Sequence, residues 1–136
     1  MYFTQSNTQT GAIPVLTAQT FVGLEGRVCV QTSTAGTVDL PSAATDVAQF
    51  IIVNVIDATH AEVLPITSAT QCRIVVGAGS SAIVRGSLIV GYGGTAAGQA
   101  FPWASGAAFI IGVAEEAYSA TGQYLLVRPL LSFHSA

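Results

Sequence analysis

Residues 50–64 read Phe50-Ile-Ile-Val-Asn-Val-Ile56, then Asp57-Ala-Thr-His60, then Ala61-Glu-Val-Leu64. A run dominated by β-branched and aromatic side chains, a short polar turn and a second apolar run spell strand, turn, strand. The 3.6-residue apolar period of an amphipathic helix is missing here and throughout the chain. Working outward, the same grammar recurs. Arg27–Gln31 alternates, with Val28 and Val30 on one face and Arg27, Cys29 and Gln31 on the other. Thr37–Leu40 is a short strand ended by Pro41, and residues 42–47 form a loop or a single helical turn. Ile13–Phe21, Cys72–Val76, Ser81–Val84, Ser87–Val90, Phe109–Ala114 and Gln123–Arg128 supply the remaining expected strands, with a turn at Gly77-Ala-Gly79. The expected fold is all-β: a single compact β-barrel or sandwich-like domain over residues 13–136. Residues 1–12, polar and rich in Thr and Gln, read as an extended N-terminal arm.

The chain also echoes itself. Gly-Arg-Val-Cys-Val from Gly26 is followed by a proline, a Phe-Ile-Ile strand and a second proline; Gly-Ser-Leu-Ile-Val from Gly86 is followed by the same series. Gly26 answers to Gly86, Pro41 to Pro102, Phe50-Ile-Ile52 to Phe109-Ile-Ile111 and Pro65 to Pro129. One strand–turn–strand unit used twice closes naturally into a barrel or sandwich, which removes exposed sheet edges.

Composition narrows the function classes. Of 136 residues, 51% are hydrophobic and only 8% charged, against about 25% charged in a typical domain. Lysine is absent, and Arg27, Arg73, Arg85 and Arg128 are the only Lys or Arg residues. So little charge cannot coat a lone domain, which predicts a surface of Ser, Thr, Gln and Gly that is also covered by protein partners. The formal net charge of −3 carries neither the basic footprint of a nucleic-acid binder nor a polybasic membrane patch. Residues 86–114 lack charge and are long enough to cross a bilayer, but Gly91, Gly93, Gly94, Gly98, Pro102 and Gly106 break any helix there. The first residues have neither the basic start nor the apolar stretch of a secretory signal. Cys29 and Cys72 sit in strand-like apolar contexts, the setting of small buried hydrophobes rather than of a disulfide framework.

The inventory for catalysis is thin. Gly77-Ala-Gly-Ser-Ser-Ala82 follows a strand-like run in a dinucleotide-type glycine pattern, but Ile83-Val-Arg-Gly86 continues as strand and turn, and no acid follows before Glu115. A glycine-rich hairpin turn accounts for it better, and Gly91-Tyr-Gly-Gly94 reads as a loop rather than a phosphate cradle. Asp57, His60 and Glu62 are close in sequence without a metal-ligand spacing. Glu115 and Glu116, as neighbours on a strand, point to opposite faces and form no acid–base pair. No cofactor, metal or catalytic residue is expected. The aromatics suit a different role. Tyr2 and Phe3 tip the arm, ahead of Thr4 and Gln5; Phe101 and Trp103 flank Pro102 in a loop-like stretch; Tyr92 and Tyr118 sit beside turns. Aromatics on arms and loops anchor protein interfaces, and Tyr2, Phe3, Thr4, Gln5, Tyr92 and Trp103 are the expected contact residues.

The segment from Phe109 to Arg128 resembles the closing module of bacteriophage capsid decoration, or head cement, proteins: a strand of the form "GVA-E-A", a short "A-G" turn and a strand ending in Val. Gly112, Val113, Ala114, Glu116, Ala117, Gly122 and Val127 carry the match. Gly86-Ser-Leu-Ile-Val90 and the polar arm are similar to that family as well, so the resemblance spans about half the chain. The absent lysines and the uncharged stretch 86–114 depart from it and concern the contact surface. The resemblance implies a β-rich domain, usually trimeric, on the outer surface of a virion. There it would bridge neighbouring major capsid subunits after synthesis in the host cytoplasm, without nucleic acid or membrane as partner. A tail or baseplate β-module, or a carbohydrate-binding module stacking sugars on Trp103 and the tyrosines, are the other expectations.

Overall fold

The computed structural model describes residues 12–67, 72–77, 83–93, 97–118, 120 and 122–135. Among these residues there are strands and turns and no helix. The strands are β1 (Ile13–Thr17), β2 (Val28–Gln31), β3 (Thr37–Asp39), β4 (Phe50–Val55), β5 (His60–Pro65), β6 (Cys72–Val75), β7 (Leu88–Tyr92), β8 (Ala97–Pro102), β9 (Ala108–Ala114) and β10 (Tyr124–His134). The all-β expectation therefore holds, and the chain packs as one compact body built of two units.

In the first unit the order β1-β3-β2-β4-β5 closes on itself through β5 and β1. The second unit is a five-stranded sheet in the order β6-β10-β9-β7-β8, whose edges meet at one parallel bridge between Val76 and Ala100. Shifting every strand of the first unit by five reproduces the pairings of the second, antiparallel and parallel alike. The registers coincide in detail. Ile13↔Val63 is repeated as Cys72↔Val127, Cys29↔Phe50 as Ile89↔Gly112, and Val30↔Asp39 as Val90↔Phe101. Hydrogen bonds repeat too. Gly26 N donates to Ile52 O at 2.9 Å and Gly86 N to Ala114 O at 2.8 Å; Ala18 N to Val38 O and Gly77 N to Ala100 O are both 3.0 Å. Gly26 and Gly86 hold φ of 86° and 94°, a left-handed turn that leads into β2 and β7 and that glycine adopts without strain.

The sequence echo is thus a structural repeat, with two of its four correspondences corrected. Gly26/Gly86 and Pro65/Pro129 are equivalent, Pro65 facing Phe50 and Pro129 facing Gly112. Pro41 is equivalent to Trp103, not Pro102. Phe50-Ile-Ile52 is equivalent to Gly112-Val-Ala114, three residues beyond Phe109-Ile-Ile111. Apolar identity misled the alignment because β9 starts earlier than β4, so both apolar triplets lie in strands at different heights.

Each unit fills its own interior. Phe21, Cys29, Val38, Ile52, Ala61 and Val63 pack inside the first. The counterparts of the last five, Ile89, Ala100, Ala114, Leu125 and Val127, pack inside the second. Volume is exchanged within the layer: Val38 and Ile52 shrink to Ala100 and Ala114 where Ala61 grows to Leu125, the kind of swap a close-packed core tolerates. A second layer joins the units. Val28, Ala48, Ile51 and Ile66 belong to the same buried cluster as Ile74, Ile89 and Ile111.

Several boundaries differ from expectation. The first strand ends at Thr17, and Phe21 leaves it as a loop residue buried in the barrel. Within the expected strand 81–84, Ile83 makes a single bridge to Tyr118, and residues 81–82 lie outside the described set. β8 has no sequence signature: Ala-Gly-Gln-Ala-Phe-Pro is poor in β-branched residues. Its small residues serve the contact with the first unit, so Phe101 and Pro102 end a strand instead of standing in a loop. β10 runs on to His134, past a register shift after Pro129, with Leu131 at φ 53°.

Candidate binding surface

Of the expected contact residues, Tyr2, Phe3, Thr4 and Gln5, and the arm that carries them apart from Ala12, lie outside the described residues. Tyr92 and Trp103 are described, and the fold separates them. Tyr92 faces Ala97 at one end of the β7–β8 hairpin. Trp103 follows β8 at the other end, where its N–H donates to Leu88 O at 2.7 Å. Four residues of strand put these positions about 13 Å apart. Trp103 is half-buried on Val90, Phe101, Ala108 and Ile110. Its Nε1 donates to Gly106 O at 3.0 Å, and its ring meets His134 edge-on at 4.5 Å. The indole thus caps the protein's own core. Tyr118 is in the Ile83 bridge and Tyr124 lies against Gly26 at the junction of the units. These aromatics do not form one sugar-stacking platform.

Most of the described carboxylates are engaged locally. His60 Nδ1 sits 2.9 Å from Asp57 Oδ1, and Thr59 N donates to the same oxygen at 2.9 Å. The Thr59 amide first, then His60, hold the Asp57 carboxyl below its ordinary range. Glu62 turns away to accept from Asn54 Nδ2 at 3.0 Å, so the three residues near the β4–β5 turn do not converge. Glu116 accepts from Leu126 N at 3.1 Å and lies 3.4 Å from Arg73; Glu115 lies 3.6 Å from Arg128. Asp39 accepts from Gln19 and from Leu40 N, and Asp46 accepts from Ser42 and Ala43, bracing the turn at 42–46. Cys29 and Cys72 are both free and buried in separate parts of the core. Burial, with Asp39 adding to it, pushes the Cys29 thiol up to about 12, and burial pushes Cys72 up to about 11. Such thiols are inert at neutral pH.

What the surface does offer is apolar area and concavity. Ile13, Leu16, Val22, Val47, Val53 and Ile56 of the first unit stand 43–68% exposed, as do Val84, Tyr124, Leu130 and Phe133 of the second, at 46–59%. Two pockets of about 480 and 470 Å³ open on either side of the β2–β3 hairpin, at Gln31 and Thr32. The sequence reading missed this surface because its residues, on strands at Ile13, Leu16, Val53 and Leu130 and beside them at Val22, Val47, Ile56 and Val84, are indistinguishable by type from the core. Their exposure follows from which unit is covered by the other. No helix among the described residues is long and apolar enough to cross a membrane. No protein-family model matches the chain, and no curated protein matches it either.

Proposed function

We propose that this chain is a structural virion protein that binds the outer surface of a phage capsid and stabilises it by bridging neighbouring major capsid subunits. The observation that carries this reading is the character of the surface. Large apolar side chains are exposed on both units, while Asp46, Asp57, Glu115 and Glu116 are each held by backbone amides, His60 or arginine, and of the described carboxylates Asp39 and Asp46 line the pocket of about 480 Å³ beside the β2–β3 hairpin. A surface of that kind favours burial against other proteins, since apolar area removed from water contributes roughly 25 cal/mol per Å² and few charges need be desolvated. The resemblance of residues 109–128 to the closing module of decoration proteins supports the same reading. Those residues supply β9 from Phe109 on and the start of β10, whose pairing with β9 continues to His134.

The test is to mix purified protein with assembled shells that lack a decoration layer. Binding at a fixed ratio to the capsid protein, with a raised temperature of shell disruption, is expected; absence of binding overturns the reading. Deleting residues 2–12 is expected to leave the domain folded while lowering occupancy on shells, because several arms per assembly would act together.

A further inference from the structure

The two units differ at one end of their interiors. Ile13 and Val15 lie two residues apart on β1 and so share a face, and Val15 packs with Phe50 against the interior cluster that holds Val38. Yet Ile13 is 43% exposed and Val15 only half-buried, whereas their counterparts in the second unit, Cys72 and Ile74, are 3% and 0% exposed. Ile13, Val15, Val38 and Phe50 all line the pocket of about 470 Å³, so among the described residues that pocket is the unclosed mouth of the first barrel. What closes the second mouth is chain that precedes it. A Cβ on Gly91, which shares the interior face of β7 with Ile89, would stand 2.7 Å from Val28 Cγ2 and 3.7 Å from Ala48 Cβ. Ile66, in the segment between β5 and β6, is 4% exposed and belongs to the same buried cluster as Cys72 and Ile74.

We infer that the mouth of the first barrel is likewise a docking site for the chain that precedes it, residues 2–11 of the same molecule, with Tyr2 and Phe3 seated against Ile13, Val15 and Phe50. Several observations commit the site to this segment. The segment joins the described fold at Ala12, next to Ile13 on the wall of the pocket. Residues 4–11 reach up to about 26 Å when extended, enough to turn back over the mouth and bring the two aromatic rings to it. Gly11 stands at the junction, where a reversal of the chain is least strained. Both partners are neutral: no residue lining the pocket and none of residues 2–11, Tyr-Phe-Thr-Gln-Ser-Asn-Thr-Gln-Thr-Gly, has a charged side chain. Docking therefore desolvates no side-chain charge, and Ser33 and Thr34 on the pocket wall offer hydroxyls to the Thr and Gln side chains. The site also disfavours a larger body. Gln31 lines it where the second unit has Gly91, so another sheet cannot approach as closely as Val28 approaches Gly91, whereas a single extended segment need only insert side chains beside it.

Methyl NMR of the full chain without shells tests the contact independently of any capsid, so either reading can fail alone. Replacing both anchors, Tyr2→Ser with Phe3→Ser, is expected to shift the methyl signals of Val15 and Val38 and to leave those of Leu125 and Val127, inside the second unit, in place. Neither change alters a core residue, so the domain stays folded. A spin label on Ser6→Cys, with Cys29 and Cys72 both buried, is expected to broaden the Val15 and Val38 methyls at least twofold more than those of Leu125 and Val127. Mouth signals that ignore the double substitution overturn the inference, as does a label that broadens both pairs equally. Full broadening of isotope-enriched chains by separate spin-labelled chains mixed with them also overturns it, since the segment of one copy would then occupy the mouth of another.

Discussion

The two units share one set of strand pairings and differ in what covers them. Val28 and Ile51, on the outside of the first barrel, are 0% and 5% exposed because the second unit lies on them. Their counterparts Leu88 and Val113 are half-buried. The lesson is that strand pairing and interior packing are properties of a unit, while the fate of its outer face depends on the neighbour. A repeat therefore carries a built-in control: a substitution can be compared at two positions that share their strand pairing and differ in coverage.

The largest expected effect breaks the shared layer. Ile51→Ala leaves a cavity between the units and should cost about 2–5 kcal/mol. Val113→Ala at the equivalent half-covered position should cost about 1 kcal/mol. Urea unfolding of both variants measures the difference; equal losses would mean that the second unit contributes nothing to burying the first.

The second comparison concerns close approach. Gly91→Gln gives the second unit the residue of the first but drives a side chain into Val28, Ile111 and Ala48. It should cost about 1–3 kcal/mol. The reverse change, Gln31→Gly, affects an exposed strand residue and should cost about 0.5–1 kcal/mol, the ordinary penalty of glycine in a strand. Thermal melts of the pair decide it.

A third test uses Cys29, whose counterpart is Ile89. Its folded value of about 12 lies above the unfolded value, near 8.5. Its contribution is therefore constant below about pH 8.5 and declines as pH rises from there toward 12, by at most about 1.4 kcal/mol per pH unit. Cys29→Val should flatten that decline in urea titrations run across the alkaline range. In the native wild type, both thiols should resist alkylation at neutral pH.

The smallest effect belongs to the β4–β5 turn. Asp57 has its carboxyl held low by Thr59 and His60, so its contribution is present at neutral pH and fades as pH falls through the carboxylate range. Asp57→Asn should lower the melting temperature slightly at neutral pH and not at all in strong acid. No change at either pH would show that the exposed pair is without energetic consequence, as many surface pairs are.

Much of this is legible in the sequence. The strands over residues 28–31, 37–39, 50–55 and 60–65 announce themselves through β-branched runs bounded by turn residues, because period-two burial on a pleated sheet demands them. The repeat was visible at Gly26 and Gly86, each leading a similar apolar run; that both glycines hold a left-handed φ is seen only in the structure. The candidate surface was not legible. The arm residues singled out for binding stand outside what is described, Trp103 closes the protein's own core, and exposed Leu16 and Leu130 read like any other strand residue.

The sequence by itself determined the class of fold, the thin charge and the doubling of one unit, since composition, periodicity and turn chemistry act locally along the chain. Tertiary structure alone decided that β8 is a strand, that Phe50-Ile-Ile52 answers to Gly112-Val-Ala114, and which copy of each outer face is buried. Those outcomes depend on contacts between residues distant in sequence. Val28 is buried because Gly91 has no side chain and the second unit can lie on it, whereas its counterpart Leu88 is only half-buried.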